Sequence, residues 1–507
     1  MKSQADKLGK VLSRLFHIIP PALEEAARRA SSGRVSGSEM HVLTEIGLGK
    51  IKTMTQVAAG LRISVGALTT AIDKLVKKGY VRRSRVDEDR RIVKVALTDE
   101  GAELVRAHVS FREDMIETAF KSLSAEQREL LLLSLADIDE YFRMKSVSPV
   151  REESEPPLRP IMIGDIEIPS PIFQGDMGAA FSSPSLAAAI AICGGVGIVT
   201  AAQPGFAEPD YEREPLAANL RAFKRNISDA RARTRGQNSI GDVAVNVLYA
   251  SPECGLMVKT AIEAGARIII AGMGIPTSLP GMAGESDVKL VPIVSSARAV
   301  ALLRRGWAKK YNRAPDAVIF EGPLKCGFLG FKEEKLDGAA ADFYRSLVEI
   351  RRELADLPNC PLIAANGAMS RADVKRAIAY GADGIQLDEA FALTRECTAP
   401  SSVLALYSGA QRREALIMKS PVGMPARALK NALTDRAARG TADPSRCINC
   451  MTGCPKKDIP FCLAEALNAT SRGDAENGIL FCDGESDRAA PPTQMPDTVA
   501  GIFKALC

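Results

Sequence analysis

After His108 the chain contains no histidine: its 3 histidines are His17, His41 and His108, out of 507 residues. The long remainder therefore has no imidazole for general acid–base work. None of the three has a spaced partner that would suggest a metal site, so packing or surface roles are expected for them. Before residue 190 there is no cysteine, although 11 follow. Thiol chemistry thus belongs to the second part alone. No apolar, uncharged run reaches the roughly 18 residues that suggest a membrane helix. The start, MKSQADKLGKVLSRLF, is polar where a secretory leader needs an apolar stretch. We expect a cytoplasmic protein with no membrane partner. Cysteines in that compartment point to metal, redox or catalytic roles before structural disulfides.

What is present divides in two. At 507 residues the chain exceeds one ordinary domain. Residues 1–145 carry 25 Lys and Arg against 20 Asp and Glu, whereas the remaining 41 bases are matched by 41 acids. The stretch SVSPVREESEPPLRP, Ser146 to Pro160, is rich in proline, serine and charge and reads as a linker. Before it, helical patterns dominate. After it, eight short apolar runs alternate with helical patterns: SPIFQGDMG, GGVGIVTAA, VAVNVLYA, ARIIIAGMG, VKLVPIVSS, DAVIFEG, CPLIAANGA and ADGIQLDEA. Eight strand–helix units predict a closed parallel barrel. The expected fold is an α+β winged helix-turn-helix domain followed by an α/β (β/α)8 TIM barrel. Its expected domains are 1–145 for DNA binding and dimerisation, 146–159 for the linker, and 160–507 for the barrel with a Cys-rich C-terminal extension.

In the first part, Thr55 is placed to cap a helix with Val57, Ala58 and Leu61 facing inward. Ser64 is placed to cap a second, from Val65 to Lys78, with Leu68, Ile72 and Leu75 as its buried stripe and Gly79 as its stop. Two short strands then flank the tip DEDRR, Asp87 to Arg91, as a wing. Between Arg62 and Lys94 ten bases face four acids. A basic helix-turn-helix with a basic wing suits double-stranded DNA, the helix in the major groove and the wing on the backbone or minor groove. Roughly Ser36 to Phe142 resembles the MarR family of winged-helix regulators. The resemblance is carried by LTEIG, LRISVGALTTAIDKLVKKGYVRR, DEDRR and ALTDEGAEL. It implies a homodimer held by the flanking helices, about 5–30 and 100–143. It also implies recognition-helix contacts at Ser64, Thr69, Thr70 and Lys74 and wing contacts at Arg90 and Arg91.

In the second part, about Pro160 to Arg488 resembles the nitronate monooxygenase family of FMN-dependent barrels, which is similar to the flavin-dependent enoyl-ACP reductases. The carriers include PIFQGDMGAAFSSPSLAAAIAICGGVGIVTAA, GMGIPTSLP, VIFEGPLKCGFLGF, PLIAANGAMSRADVKRAIAYGADGIQLDEAF and KSPVGMPARALKNAL. By this resemblance Met177, Gly178, Asn246 and Glu321 lie against the flavin ring. Gly367, Gln386, Leu387, Asp388 and Glu389 lie at its phosphate end, Cys326 stands where the family has a phosphate-binding glycine, and Gly327 beside it is a further cofactor-binding candidate. Departures from the family pattern matter more. A loop that ends Gly-Gly-His-x-Gly in the family, with the histidine as base, is Cys326-Gly327-Phe328-Leu329-Gly330 here. Phenylalanine cannot move a proton. The family's Gln-x-Gly-Thr is Gln386-Leu387-Asp388-Glu389, which sets two carboxylates where a phosphate is expected. Asp176 replaces a glycine or apolar residue in the first loop.

Two cysteine features remain. Cys447, Cys450, Cys454 and Cys462 are spaced closely enough to resemble iron–sulfur or zinc ligation, with packed reduced thiols as the alternative. Cys326 adjoins Lys325, and a nearby ammonium lowers a thiol pKa. Lys325 and Cys326 are thus the loop's candidate reactive groups. Two functions are compatible with these features. One is a DNA-binding regulator whose barrel senses a small-molecule ligand, flavin or redox signal. The other is an active FMN-dependent nitronate monooxygenase-type oxidoreductase with a regulatory winged helix.

Overall fold

The computed structural model describes the chain outside residues 1–13, 15, 16, 20, 23, 27, 50, 62–64, 86–92, 122, 125–127, 129, 130, 132–157, 236–238, 337–341, 358, 368, 408–412, 441–446 and 485–495. It divides into two compact units, Met1–Ser154 and Glu155–Cys507. Ser64, Arg90, Arg91 and most of the expected linker lie outside the described residues.

In the first unit, helices α1 (Gly37–Ile46), α2 (Met54–Leu61) and α3 (Val65–Lys77) pack beside a small antiparallel sheet. Its strands are β1 (Ile51–Thr53), β2 (Val81–Arg85) and β3 (Val93–Leu97), in the order β1-β3-β2. Helix α4 (Asp99–Phe120) follows. Leu68, Ile72 and Leu75 are fully buried, as their spacing requires. Gly79, at φ 82°, ends α3: the Tyr80 amide donates to Leu75 O and the Gly79 amide to Val76 O. The start of α2 departs from expectation. Thr53, not Thr55, is the cap, because its hydroxyl accepts from the Gln56 amide at 3.2 Å while Gln56 reaches back to the Thr53 amide at 2.8 Å. Two orphan amides are satisfied by that exchange, which Thr55 cannot provide from inside the first turn.

The LT-x-x-G segment acquires a physical reason. Thr98 caps α4 by accepting from the Gly101 amide, and its hydroxyl donates to Gly79 O at 2.7 Å. A β-carbon at Gly101 would fall 2.1 Å from the Tyr80 carbonyl oxygen. Only glycine lets α4 start against the end of α3.

The second unit is the barrel. Strands β4 (Ile161–Ile163) and β5 (Ile166–Ile168) form a hairpin. Eight parallel strands then close on themselves: β6 (Ile172–Gln174), β7 (Val196–Thr200), β8 (Asp242–Leu248), β9 (Ile268–Gly272), β10 (Lys289–Val294), β11 (Val318–Glu321), β13 (Leu362–Ala365) and β14 (Gly384–Leu387). β14 pairs with β6 to complete the ring. Helix starts carry the caps that the sequence advertises. Ser183 precedes Pro184, Ser296 accepts from the Ala299 amide, and Ser370 forms a capping box with Asp373. Inside, Phe173, Ile198, Ala244, Ile270, Val291, Ile319 and Ile363 fill the barrel, with the hairpin's Ile163, Ile166 and Ile168 in the same cluster.

Above the carboxyl ends of the strands sits a cap. The loop after β11 does not stay a loop: β12 (Gly327–Phe328) pairs with β16 (Pro425–Leu429), which pairs with β15 (Ala415–Lys419). Phe181, Tyr407, Leu429, Phe461, Leu467, Leu480 and Phe481 give the cap a core of its own.

Because the Gly101 site has backbone for a wall, we predict that Gly101→Ala destabilises the first unit by about 1–3 kcal/mol, as overpacking does. Chemical denaturation followed by helix circular dichroism measures it, and a loss under about 0.5 kcal/mol would contradict the close approach.

Candidate binding site at the barrel mouth

Strand alternation places the site. On β8, Ala244 belongs to the barrel core, and Asn246 and Leu248, two and four residues later, face the mouth. Gly272, Ile293, Glu321 and Gln386 reach the same level on β9, β10, β11 and β14. They surround a small cavity, partly open to solvent, roofed by Met424, Leu463, Leu467 and Phe481 from the cap. The carboxyl ends of barrel strands are where such folds bind ligands.

Asp176 organises one side. Its Oδ1 accepts from the Gly178 amide and the Ser182 hydroxyl, both at 2.9 Å. Its Oδ2 accepts from the Thr200 hydroxyl and the Asn246 amide group, both at 2.7 Å. Four donors saturate the carboxylate. They also fix the Asn246 amide, since the group facing a carboxylate must be the NH2. Its Oδ1 is left buried without a hydrogen-bond partner.

On the other side, Lys325 is ion-paired with Glu321, and each side chain is 13 % exposed. Burial pulls the Lys325 pKa down, but the Glu321 and Asp388 carboxylates outweigh it and the net shift is upward. An ammonium held this way is a poor general base at neutral pH. It also does not activate the neighbouring thiol, contrary to the expectation from sequence. Cys326 is 2 % exposed, and burial, with Asp388 and Asp483 adding to it, raises its pKa well above the usual range; Lys325 opposes them only weakly. A reactive thiolate does not form there.

Phe328, at the histidine position of the resemblance, packs its ring against Phe481 with centroids 5.2 Å apart. Gly178, Asn246, Glu321, Lys325, Cys326, Gly327, Phe328 and Gln386 all line the cavity. Met177 lies behind it in the cap core. Gly367, Leu387, Asp388 and Glu389 do not line it.

The reason is a segment whose place sequence reasoning missed. Leu480 to Gly484 is laid along β16 and the loop after β11. The Leu429 amide donates to Leu480 O, the Tyr407 hydroxyl to Phe481 O, and the Gly484 amide to Leu324 O. The Asp483 amide donates to Glu389 Oε2 at 2.9 Å. Above Gly367, at φ +79°, a β-carbon would fall 2.5 Å from Leu324 O and 3.5 Å from Asp483 Cβ. Above Gly175 it would fall 1.3 Å from Asp388 Oδ1. The phosphate end is thus occupied by the chain's own atoms. Asp388 Oδ2 and both carboxyl oxygens of Asp483 are buried there without a partner. A phosphate dianion about 4 Å from one ionised carboxylate is repelled by several kcal/mol even at an effective dielectric near 20. FMN does not fit this end of the site. The only sequence sign was the apolar run ILF ending in CDG, which shows burial but not where.

The other expected sites are as follows. Thr70 and Lys74 stand on the exposed face of α3 and Thr69 is half-buried. Arg83 ties the wing to this helix through Asp73 at 2.6 Å and Thr69 O. The thiols Cys447, Cys450, Cys454 and Cys462 border one small cavity. Among the described residues, however, no three His, Cys, Asp or Glu form a group that could hold a metal. Asn449, Gly453, Lys456 and Asp458 all have positive φ, so the segment is a run of turns.

The family profile named nitronate monooxygenase matches residues 159–504, and that of the MarR family matches residues 35–93. The multiple antibiotic resistance protein MarR of Escherichia coli is 29 % identical over 131 residues, which cover 25 % of this chain and 91 % of that protein. A (3aS,4S,5R,7aS)-5-hydroxy-7a-methyl-1-oxo-octahydro-1H-indene-4-carboxyl-CoA dehydrogenase of Rhodococcus jostii is 23 % identical over 287 residues, 55 % of this chain and 67 % of its own. Among solved structures, nitroalkane oxidase from Streptomyces ansochromogenes is 19 % identical with a TM-score of 0.49, covering 67 % of this chain and 95 % of that one.

Burial pushes the Asp388 pKa up to about 6, against Lys325, which lowers it. The folded state therefore holds this proton more tightly than the unfolded chain. That contribution to stability is complete below about pH 4 and is lost as pH rises through 6. We predict that Asp388→Asn gains about 2–3 kcal/mol on the wild type between pH 4.5 and 7.5. Urea denaturation at both pH values tests it, and a pH-independent difference would refute it.

Proposed function

Since this chain belongs to the nitronate monooxygenase family through its barrel and carries a MarR-family domain ahead of it, we propose that it is a DNA-binding transcriptional regulator whose barrel senses a small molecule. The observation that carries this reading is the state of the mouth: an open cavity in which Phe328 stands at the position of the expected histidine base. Lys325 is held by Glu321, the Cys326 thiol is held protonated, and the domain has no histidine. A site in that condition recognises a ligand better than it transforms one. The filled phosphate end argues against the competing reading, an FMN-dependent oxidoreductase with a regulatory winged helix.

At the other unit, Lys74 and Lys77 on α3 and Arg82 on β2 give double-stranded DNA a cationic, exposed face. As a homodimer it would present two such faces to a two-fold operator. Ligand binding regulates DNA affinity only if the ligand prefers one of the two DNA-binding states.

Fluorescence anisotropy with duplex DNA from the protein's own upstream region tests the proposal. Affinity should fall by about 10³-fold or more between 50 and 200 mM salt. Lys74→Ala should lower the salt slope by about 1. A salt-independent affinity would sink the DNA reading. In a separate assay, oxygen uptake with an alkyl nitronate by the purified protein would sink the sensor reading in favour of the enzyme.

A further inference from the structure

Resting on the reading of the barrel as a ligand-binding unit, we infer that the mouth cavity takes a small organic cation, a protonated amine or amidine on an apolar skeleton without phosphate. Three separate features of the cavity converge on that class.

The first is Asn246. The residue is 5 % exposed and lines the cavity. Its NH2 donates to Asp176 Oδ2, so its orientation is fixed, and its Oδ1 has no partner. A buried carbonyl-type oxygen left in this state calls for an N–H or O–H donor from a ligand. An anionic oxygen or a phosphate cannot satisfy it.

The second is charge. Asp176 is held by four uncharged donors and, among the described residues, forms no ion pair. The one ammonium of the lining, Lys325, is paired with Glu321. The cavity therefore keeps one negative charge without a counter-ion. In a concave site only partly open to water, that charge favours a cation and disfavours an anion.

The third is the wall. Met273, Met424, Phe328, Leu467 and Phe481 face the polar floor. Thioethers and aromatic faces accommodate an apolar skeleton and also attract a cation. The phosphate end, filled by Asp483 and Asp388, leaves no seat for a phosphorylated compound.

Calorimetry on the full-length protein without DNA tests the inference with four probes: benzamidine, its neutral isostere benzamide, phenyl phosphate and FMN. Benzamidine should bind at least about tenfold more tightly than benzamide, and neither phosphate compound should bind as well as benzamidine. Asp176→Asn should remove the preference for benzamidine over benzamide. Should that variant not fold, Met424→Lys at the half-exposed rim provides the same reading. It should weaken benzamidine about tenfold more than it weakens benzamide. Equal binding of benzamidine and benzamide, tighter binding of FMN or phenyl phosphate, no binding of any probe, or variants that keep the preference would each overturn the inference. DNA affinity is measured in parallel. Selective cation binding that leaves DNA affinity unchanged would overturn the regulator reading while this inference stands. Loss of selectivity with a normal salt-dependent DNA affinity would do the reverse.

Discussion

The end of the barrel depends on one hydrogen bond, from the Asp483 amide to the Glu389 carboxylate. Glu389 is fully buried at the carboxyl end of β14 and needs donors. By accepting from Asp483 it draws Leu480–Gly484 across the cap sheet and over Gly367. Several properties then follow from that one seat. Phe481 is set against Phe328, forming the wall and roof of the cavity. Asp388 is sealed from water over Gly175, and its pKa rises. Cys326 is enclosed among carboxylates and stays protonated. The two ends of the site thus become different media: one closed and filled by the chain, the other open and apolar with a polar floor.

At the open end, Asp176 has an equivalent role. A carboxylate in a loop that the family resemblance expects to be glycine or apolar would be costly without donors. It is supplied with four, from Gly178, Ser182, Thr200 and Asn246, which draws the first loop, β7 and β8 into one network. The same network leaves Asn246 Oδ1 buried without a partner and a negative charge without a counter-ion. Phe328 at the histidine position and this charge support the proposal that the mouth recognises a ligand. Fold alone would not have indicated this, because a barrel hosts many functions and the site decides among them.

The winged-helix unit was legible almost entirely from local rules. Its buried stripe of Leu68, Ile72 and Leu75 and its Gly79 stop depend on period and on glycine's access to positive φ, both properties of short segments. The cap of α2 was misread at Thr55. Thr53 and Gln56 form a reciprocal pair of bonds that two nearby hydroxyl residues do not distinguish by sequence. In the barrel, the eight apolar runs announced the eight strands, and alternation along β8 brings Asn246 to the mouth, where Glu321 at the end of β11 also stands. Spacing along the chain announced the four thiols of the cysteine segment, which border one small cavity, but not the positive-φ turns that carry them.

The sequence by itself determined the two folds, the position of the cavity and the absence of a histidine base, because hydrophobic period, glycine placement and residue identity act locally. Only the tertiary structure decided what that cavity is. It folded a segment nearly one hundred residues downstream into the phosphate end, tied Lys325 to Glu321 instead of Cys326, and fixed Asn246 so that its oxygen is buried without a partner. Those outcomes depend on contacts between distant segments and on the burial of charge, and neither can be read from the order of the residues.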